Sequence, residues 1–149
     1  MGRTLIIGVG NRDRGDDAFG LLVIDGLREA SVPDLDLFQS HGDAAELMNA
    51  WAGYDRVVVI DVCRSGAPTG TIFTFPAQER PLPASLSSQS THGFGLVHAV
   101  EMARALGRLP KELTVYAVEG GNFTLGEPPS AIMRQAAGDL MQKFAQRSF

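Results

Sequence analysis

Two kinds of pattern alternate along the chain. Short runs are apolar at almost every position, and between them lie longer stretches whose apolar residues return every three or four positions. Thr4–Val9 is the first run, and residues 56–62 (Arg-Val-Val-Val-Ile-Asp-Val) are the clearest. A strand that reads apolar throughout is covered on both faces, as in a parallel sheet held between two helical layers. Residues 35–38 and 71–75 are read as short strands and residues 113–118 as a further strand. The helical stretches are residues 17–30, 43–51, 93–106 and 130–144. The first sets Phe19, Leu22, Val23 and Leu27 on one side. The last does so with Ile132, Met133, Ala136, Ala137, Leu140, Met141 and Phe144, a stripe read as core packing.

Strand and helix in alternation predict an α/β fold, a three-layer α/β/α sandwich on a five-stranded, mostly parallel sheet. One strand departs from the rule. Only eight residues, 63–70, separate the third and fourth runs, whereas a parallel crossover needs about a dozen or more. The fourth strand is therefore predicted to be antiparallel. Residues 76–91 carry three prolines together with Ser85, Ser87, Ser88 and Ser90, without periodicity, and are expected to form a mobile surface loop. No repeat or linker divides the 149 residues, so a single domain spanning 1–149 is expected.

Composition narrows the partners. Net charge is −4 and no run of Lys or Arg occurs, which argues against nucleic acid, whose phosphates need a basic patch. No apolar run approaches the roughly 20 residues of a membrane span. The N-terminus enters a strand at once, with no charged and apolar leader segment. The one cysteine, Cys63, excludes an internal disulfide framework. A cytoplasmic protein is expected.

Candidate chemistry begins at the first turn, Gly8-Val9-Gly10-Asn11-Arg12-Asp13-Arg14-Gly15-Asp16-Asp17. It opens like a dinucleotide fingerprint, but Asp13 stands where the third glycine belongs, and more acid follows. A pyrophosphate would meet negative charge where it needs bare N–H groups. Gly8 and Gly10 are expected to bring the backbone round sharply. In open α/β sheets ligands bind at the carboxyl ends of the strands. Those ends present Asn11 with the Asp13, Asp16 and Asp17 turn, then Gln39 to Asp43 with His41, then Asp61, and finally Glu119 to Asn122. Thr91-His92-Gly93 precedes the third long helix. Carboxylates with an imidazole suit a divalent transition metal. Each has a structural reading too. Asp16 is a natural N-cap and Asp17 favours the helix dipole. Asp61 is a loop anchor or a functional group, and it ends an apolar run where a lone carboxylate is costly. His92 is a first-turn helix residue or a ligand, His41 is open either way, and His98 reads as packing or surface. Cys63 is a small buried hydrophobe or, paired with His92, a thiol nucleophile.

Gly8-Val9-Gly10-Asn11 followed by Asp16-Asp17-Ala18-Phe19-Gly20 resembles the opening motif of the nickel-iron hydrogenase maturation proteases. These endopeptidases remove a C-terminal extension from the hydrogenase large subunit once nickel is inserted. Val57-Val58-Val59-Ile60-Asp61 is similar to the family's strand ending in aspartate, and Thr91-His92-Gly93-Phe94-Gly95-Leu96 to its histidine segment, so the likeness spans nearly the whole chain. The resemblance implies Asp17, Asp61 and His92 as catalytic residues and metal ligands. It implies nickel supplied by the substrate, with other divalent metals fitting the same ligands, and a hydrogenase large-subunit precursor as partner. It also implies a phosphorylase/hydrolase-like sandwich with the fourth strand antiparallel. Asp17 stands where the family often has Glu, one methylene longer.

One position departs from the family. After the second strand many members carry Asp-Gly-Gly or Asp-Gly-Thr, and Gln39 stands at that aspartate's place. Either Asp43 or His41 substitutes for it, or the acid is dispensable, or the substrate differs. The alternatives to the precursor protease are a related peptidase acting on another protein and a non-catalytic sensor of metal-loaded precursor.

Overall fold

Five strands and four α-helices make three layers in the computed structural model, which describes residues 2–83 and 95–149. In chain order they are β1 (Thr4–Val9), a 3-10 turn (Gly15–Ala18), α1 (Phe19–Ala30), β2 (Leu35–Ser40), α2 (Ala44–Trp51), β3 (Arg56–Cys63), β4 (Ile72–Pro76), α3 (Gly95–Ala105), β5 (Glu112–Glu119) and α4 (Ala131–Ala145). The sheet order is β2-β1-β3-β5-β4. All pairs are parallel except β4 with β5, which is antiparallel as the short connection requires.

The period-2 alternation of side chains divides the apolar strands between two cores. Leu5, Ile7, Val9, Val57, Val59, Leu113 and Val115 face α2 and α3, with Leu47, Trp51, Leu96 and Val100 against them. Ile6, Val58, Ile60, Val62, Tyr116 and Val118 face α1 and α4, with Phe19, Ile24, Leu27, Met133, Leu140 and Phe144. Both faces are therefore covered, which is why β1 and β3 read as continuous apolar runs. The α4 stripe is narrower than the sequence reading, since Ile132 is exposed.

Two local expectations change. The first helix does not begin at Asp17; a 3-10 turn holds residues 15–18 and the α-helix starts at Phe19. The loop after the fourth strand is anchored at its start. Ala77 and Leu82 are buried in the α2/α3 core, the Ala77 N–H donates to Leu113 O at 2.8 Å, and Arg104 Nη2 donates to Ala77 O at 2.7 Å. The rest of the expected mobile loop, and the start of the third long helix, lie outside the described residues. Asp43 does cap α2, accepting from Glu46 N at 2.9 Å.

Candidate functional site at the carboxyl rim of the sheet

The opening turn is shaped by close approach rather than by unusual backbone angles. Gly8 and Gly10 do not have positive φ. A Cβ on Gly8 would sit 2.2 Å from Gly20 O, and one on Gly10 would sit 2.3 Å from Asp17 O. One on Gly20 would stand 2.7 Å from Val9 O and 2.9 Å from Ile60 O. The missing side chains let the start of α1 lie directly over the ends of β1 and β3. That contact brings the turn bearing Asp17 to the strand end bearing Asp61.

Asp16 is fully buried, and it does not cap its own helix. Its Oδ2 accepts from Gly121 N and Asn122 N, both at 2.8 Å, and its Oδ1 accepts from Ser130 N at 2.8 Å. The Asp16 N–H returns a bond to Asn122 O at 2.7 Å. One carboxylate thus bolts the β5–α4 loop and the start of α4 to the opening turn. Burial pushes the Asp16 carboxyl up, but the N–H donors of Ser130, Asn122 and Gly121 outweigh that and hold it below its ordinary value. The expected N-cap is a tie between distant segments, and a sequence read locally has no signal for a partner more than a hundred residues away.

Asp17 and Asp61 are both buried, 2% and 3% exposed. Asp61 Oδ1 accepts from Val62 N at 2.7 Å. By strand parity Asp61 shares the α2/α3 side of β3 with Val59 and Cys63. The rim thus holds two nearly inaccessible carboxylates, Asp17 on the 3-10 turn after β1 and Asp61 near the end of β3. Among the described residues no three His, Cys, Asp or Glu side chains gather as a metal group. His92, Thr91 and Gly93 lie outside the described residues.

The remaining rim residues separate by role. Glu119, buried at the end of β5, accepts from Ser65 N at 2.9 and 3.0 Å, from the Ser65 hydroxyl, and from Gly66 N at 3.3 Å. It folds the turn after β3. Burial pushes the Cys63 thiol up to about 12, and the neighbouring Glu119 and Asp61 charges add to that. A thiolate nucleophile is therefore disfavoured at neutral pH. Gln39 turns its amide to helix α1, donating to Asp25 Oδ1 at 2.9 Å, while Arg12 holds both Asp25 oxygens at 2.7 and 3.0 Å. The Arg12 hydrogen bond holds the Asp25 carboxyl below its ordinary value. An acid in place of Gln39 would meet the Asp25 carboxylate. His41 and Gln39 line a cleft of about 370 Å³ with Asn11, Arg12, Asp13 and Ser40. Asp43 does not line it. His98 is exposed and lines a larger, mostly apolar groove between α2 and α3 that neither Asp17 nor Asp61 lines.

The family is decided by comparison with known proteins. Residues 27–142 match the model of the hydrogenase maturation protease family. The chain belongs to the hydrogenase maturation protease family. It is 31% identical over 121 residues to the hydrogenase 2 maturation protease of Escherichia coli strain K12, covering 78% of this chain and 72% of that protein. The fold matches the crystal structure of a [NiFe] hydrogenase maturation protease, HycI, from Thermococcus kodakarensis, with TM-score 0.74, 26% identity and coverage of 98% and 92%. It also matches the hydrogenase maturating endopeptidase HybD of E. coli, with TM-score 0.79, 21% identity and coverage of 95% and 89%. This hydrogenase maturation protease is thus a peptidase, with the antiparallel fourth strand expected from its sequence. None of its described helices is long and apolar enough to cross a membrane.

Proposed function

We propose that the protein is a cytoplasmic endopeptidase that removes the C-terminal extension of a nickel-iron hydrogenase large-subunit precursor after nickel insertion. The observation that carries this reading is the pair of buried carboxylates, Asp17 on the 3-10 turn after β1 and Asp61 near the end of β3, in a chain of the maturation protease family. A buried carboxylate is retained against a desolvation cost of several kcal/mol only where a partner or a ligand compensates. In this reading Asp17, Asp61 and His92 take the nickel that the precursor carries. The three ligands leave positions for substrate groups, so a loaded precursor is bound and an unloaded one is not. The metal in the substrate supplies Lewis acidity beside the scissile peptide bond.

A second reading, a peptidase of the same family acting on another protein, draws on Gln39, whose amide is committed to Asp25 rather than open to a substrate. Incubation with nickel-loaded large-subunit precursor, followed by intact-mass measurement, separates the readings. Loss of the extension's mass supports the proposal. An unchanged mass without binding favours another substrate, and an unchanged mass with retained binding favours a non-catalytic sensor.

A further inference from the structure

A second cleft, of about 670 Å³, opens on the same rim between the turn after β3 and the loop after β5. Arg64, Gly66, Thr69, Gly121, Phe123 and Thr124 line it. Each of its two walls is fixed from beneath by a buried carboxylate. Glu119 holds the turn through Ser65 N and Gly66 N, and Asp16 holds the opposite loop through Gly121 N and Asn122 N. The loop is braced again within itself, where Asn122 Oδ1 accepts from Thr124 N at 3.0 Å. Buried charges whose oxygens are filled by backbone N–H groups make rigid supports, and rigid walls lose little freedom when something binds.

Between these walls lies a cation. Arg64 is exposed, and its guanidinium carbon stands 4.0 Å from the centroid of the Phe123 ring. Among the described residues Arg3, Arg12, Arg28, Arg56, Arg80 and Arg104 each enter an ion pair, and Arg64 enters none. Stacking on a ring face leaves the in-plane N–H edges of a guanidinium open, and those edges match a carboxylate in a two-pronged hydrogen bond. Glu119 also lines the cleft, but it is 3% exposed and its oxygens already accept from Ser65 and Gly66. The charge offered to solvent there is that of Arg64. Only Val62 and Cys63 separate Arg64 from Asp61 along the chain, so the cleft adjoins the carboxylate rim.

We propose that this cleft is a subsite for a carboxylate of the substrate polypeptide, held by Arg64 on its Phe123 platform. The proposal rests on the precursor-processing reading above for the identity of the polypeptide, with the carboxylate coming from an Asp or Glu side chain of the extension or from its C-terminus. It assigns to Arg64 a part in substrate binding and none in bond cleavage.

The test combines enzyme and substrate changes. With nickel-loaded precursor, Arg64→Gln raises KM about tenfold and leaves kcat within about twofold, because a charge-assisted two-pronged contact is lost before the chemical step. Arg64→Lys, which keeps charge without the planar fork, lies between. A precursor whose extension has Asp and Glu changed to Asn and Gln, and a separate one ending in an amide, identify the source. With the correct one the wild-type KM rises similarly and Arg64→Gln has no further effect. An unchanged KM in Arg64→Gln, or a full Arg64 effect on both neutralised substrates, overturns the proposal. A binding arm needs no cleavage: fluorescence anisotropy with a labelled synthetic extension peptide, in acid and neutralised forms. Wild-type protein that prefers the acid peptide while Arg64→Gln does not supports the subsite even if no precursor is cut, an outcome that would remove the processing reading alone. Equal affinity of both proteins for both peptides overturns the subsite.

Discussion

Two arginines flank the carboxyl rim, and their surroundings are opposite. Arg12 follows β1 and is closed into a unit, with both Asp25 oxygens on its guanidinium and the Gln39 amide on Asp25. Arg64 follows β3, is unpaired among the described residues, and is stacked on Phe123 between two walls that buried carboxylates hold in place. The first arginine joins the opening turn, α1 and β2. The second faces a cleft with its hydrogen-bonding edges unspent. The difference lies in where the acids went. On the β2 side Asp25 neutralises the cation directly, and on the β5 side Asp16 and Glu119 are spent on backbone N–H groups. Acid therefore serves as counterion on one side and as scaffold on the other.

The scaffold side is broken most severely at Asp16. Asp16→Ala would leave the part-buried N–H groups of Gly121, Asn122 and Ser130 without their buried acceptor. Each buried donor left unmade costs about 1–3 kcal/mol. A loss of about 3 kcal/mol or more in urea unfolding is expected, together with a freed β5–α4 loop that exchanges amide hydrogens faster. A loss below about 1 kcal/mol would mean that the loop does not depend on this carboxylate. The tenfold KM effect of Arg64→Gln, equivalent to about 1.4 kcal/mol, comes next.

The counterion side gives the smallest effect and the sharpest contrast. Arg12→Gln is expected to cost at most about 1 kcal/mol, as for an exposed pair. Asp25 then loses the bond that holds its carboxyl low. In the wild type that depressed carboxyl contributes stability above its unfolded value of about pH 4, and the contribution fades as pH falls through the lower folded value. Urea midpoints of wild type and Arg12→Gln should differ near neutrality and converge on acidification below about pH 4. Precursor KM should stay within about twofold. A large KM change here, with none at Arg64, would reverse the roles assigned to the two arginines.

The layers and the antiparallel strand were legible because they depend on local pattern and loop length. Val57 to Ile60 are apolar in sequence since both faces of β3 are covered, and eight residues are too few for a parallel crossover. Asp61 was conspicuous for the same reason, as an acid closing an apolar run. Asp16 misled because Ser130 and Asn122 are its partners, and nothing near residue 16 records them. Glu119 was visible as a rim acid, yet its task of folding the Ser65–Gly66 turn shows only when β3 and β5 are paired, with Cys63 opposite Glu119. Arg64 is not legible in the sequence, since a single arginine in a polar turn carries no pattern. Its distinguishing signal is the ring of Phe123, 59 residues further along the chain.

The central claim is that Asp17 and Asp61 perform the processing reaction while the acids beside them hold the frame. Single-turnover cleavage of nickel-loaded precursor by wild type, Asp17→Asn and Asp61→Asn, each first shown to be folded by circular dichroism, tests it most directly. A fall of at least about 100-fold in the cleavage rate is expected for each variant, the scale on which a group at the reacting centre contributes. Cleavage by both variants at the wild-type rate would contradict it.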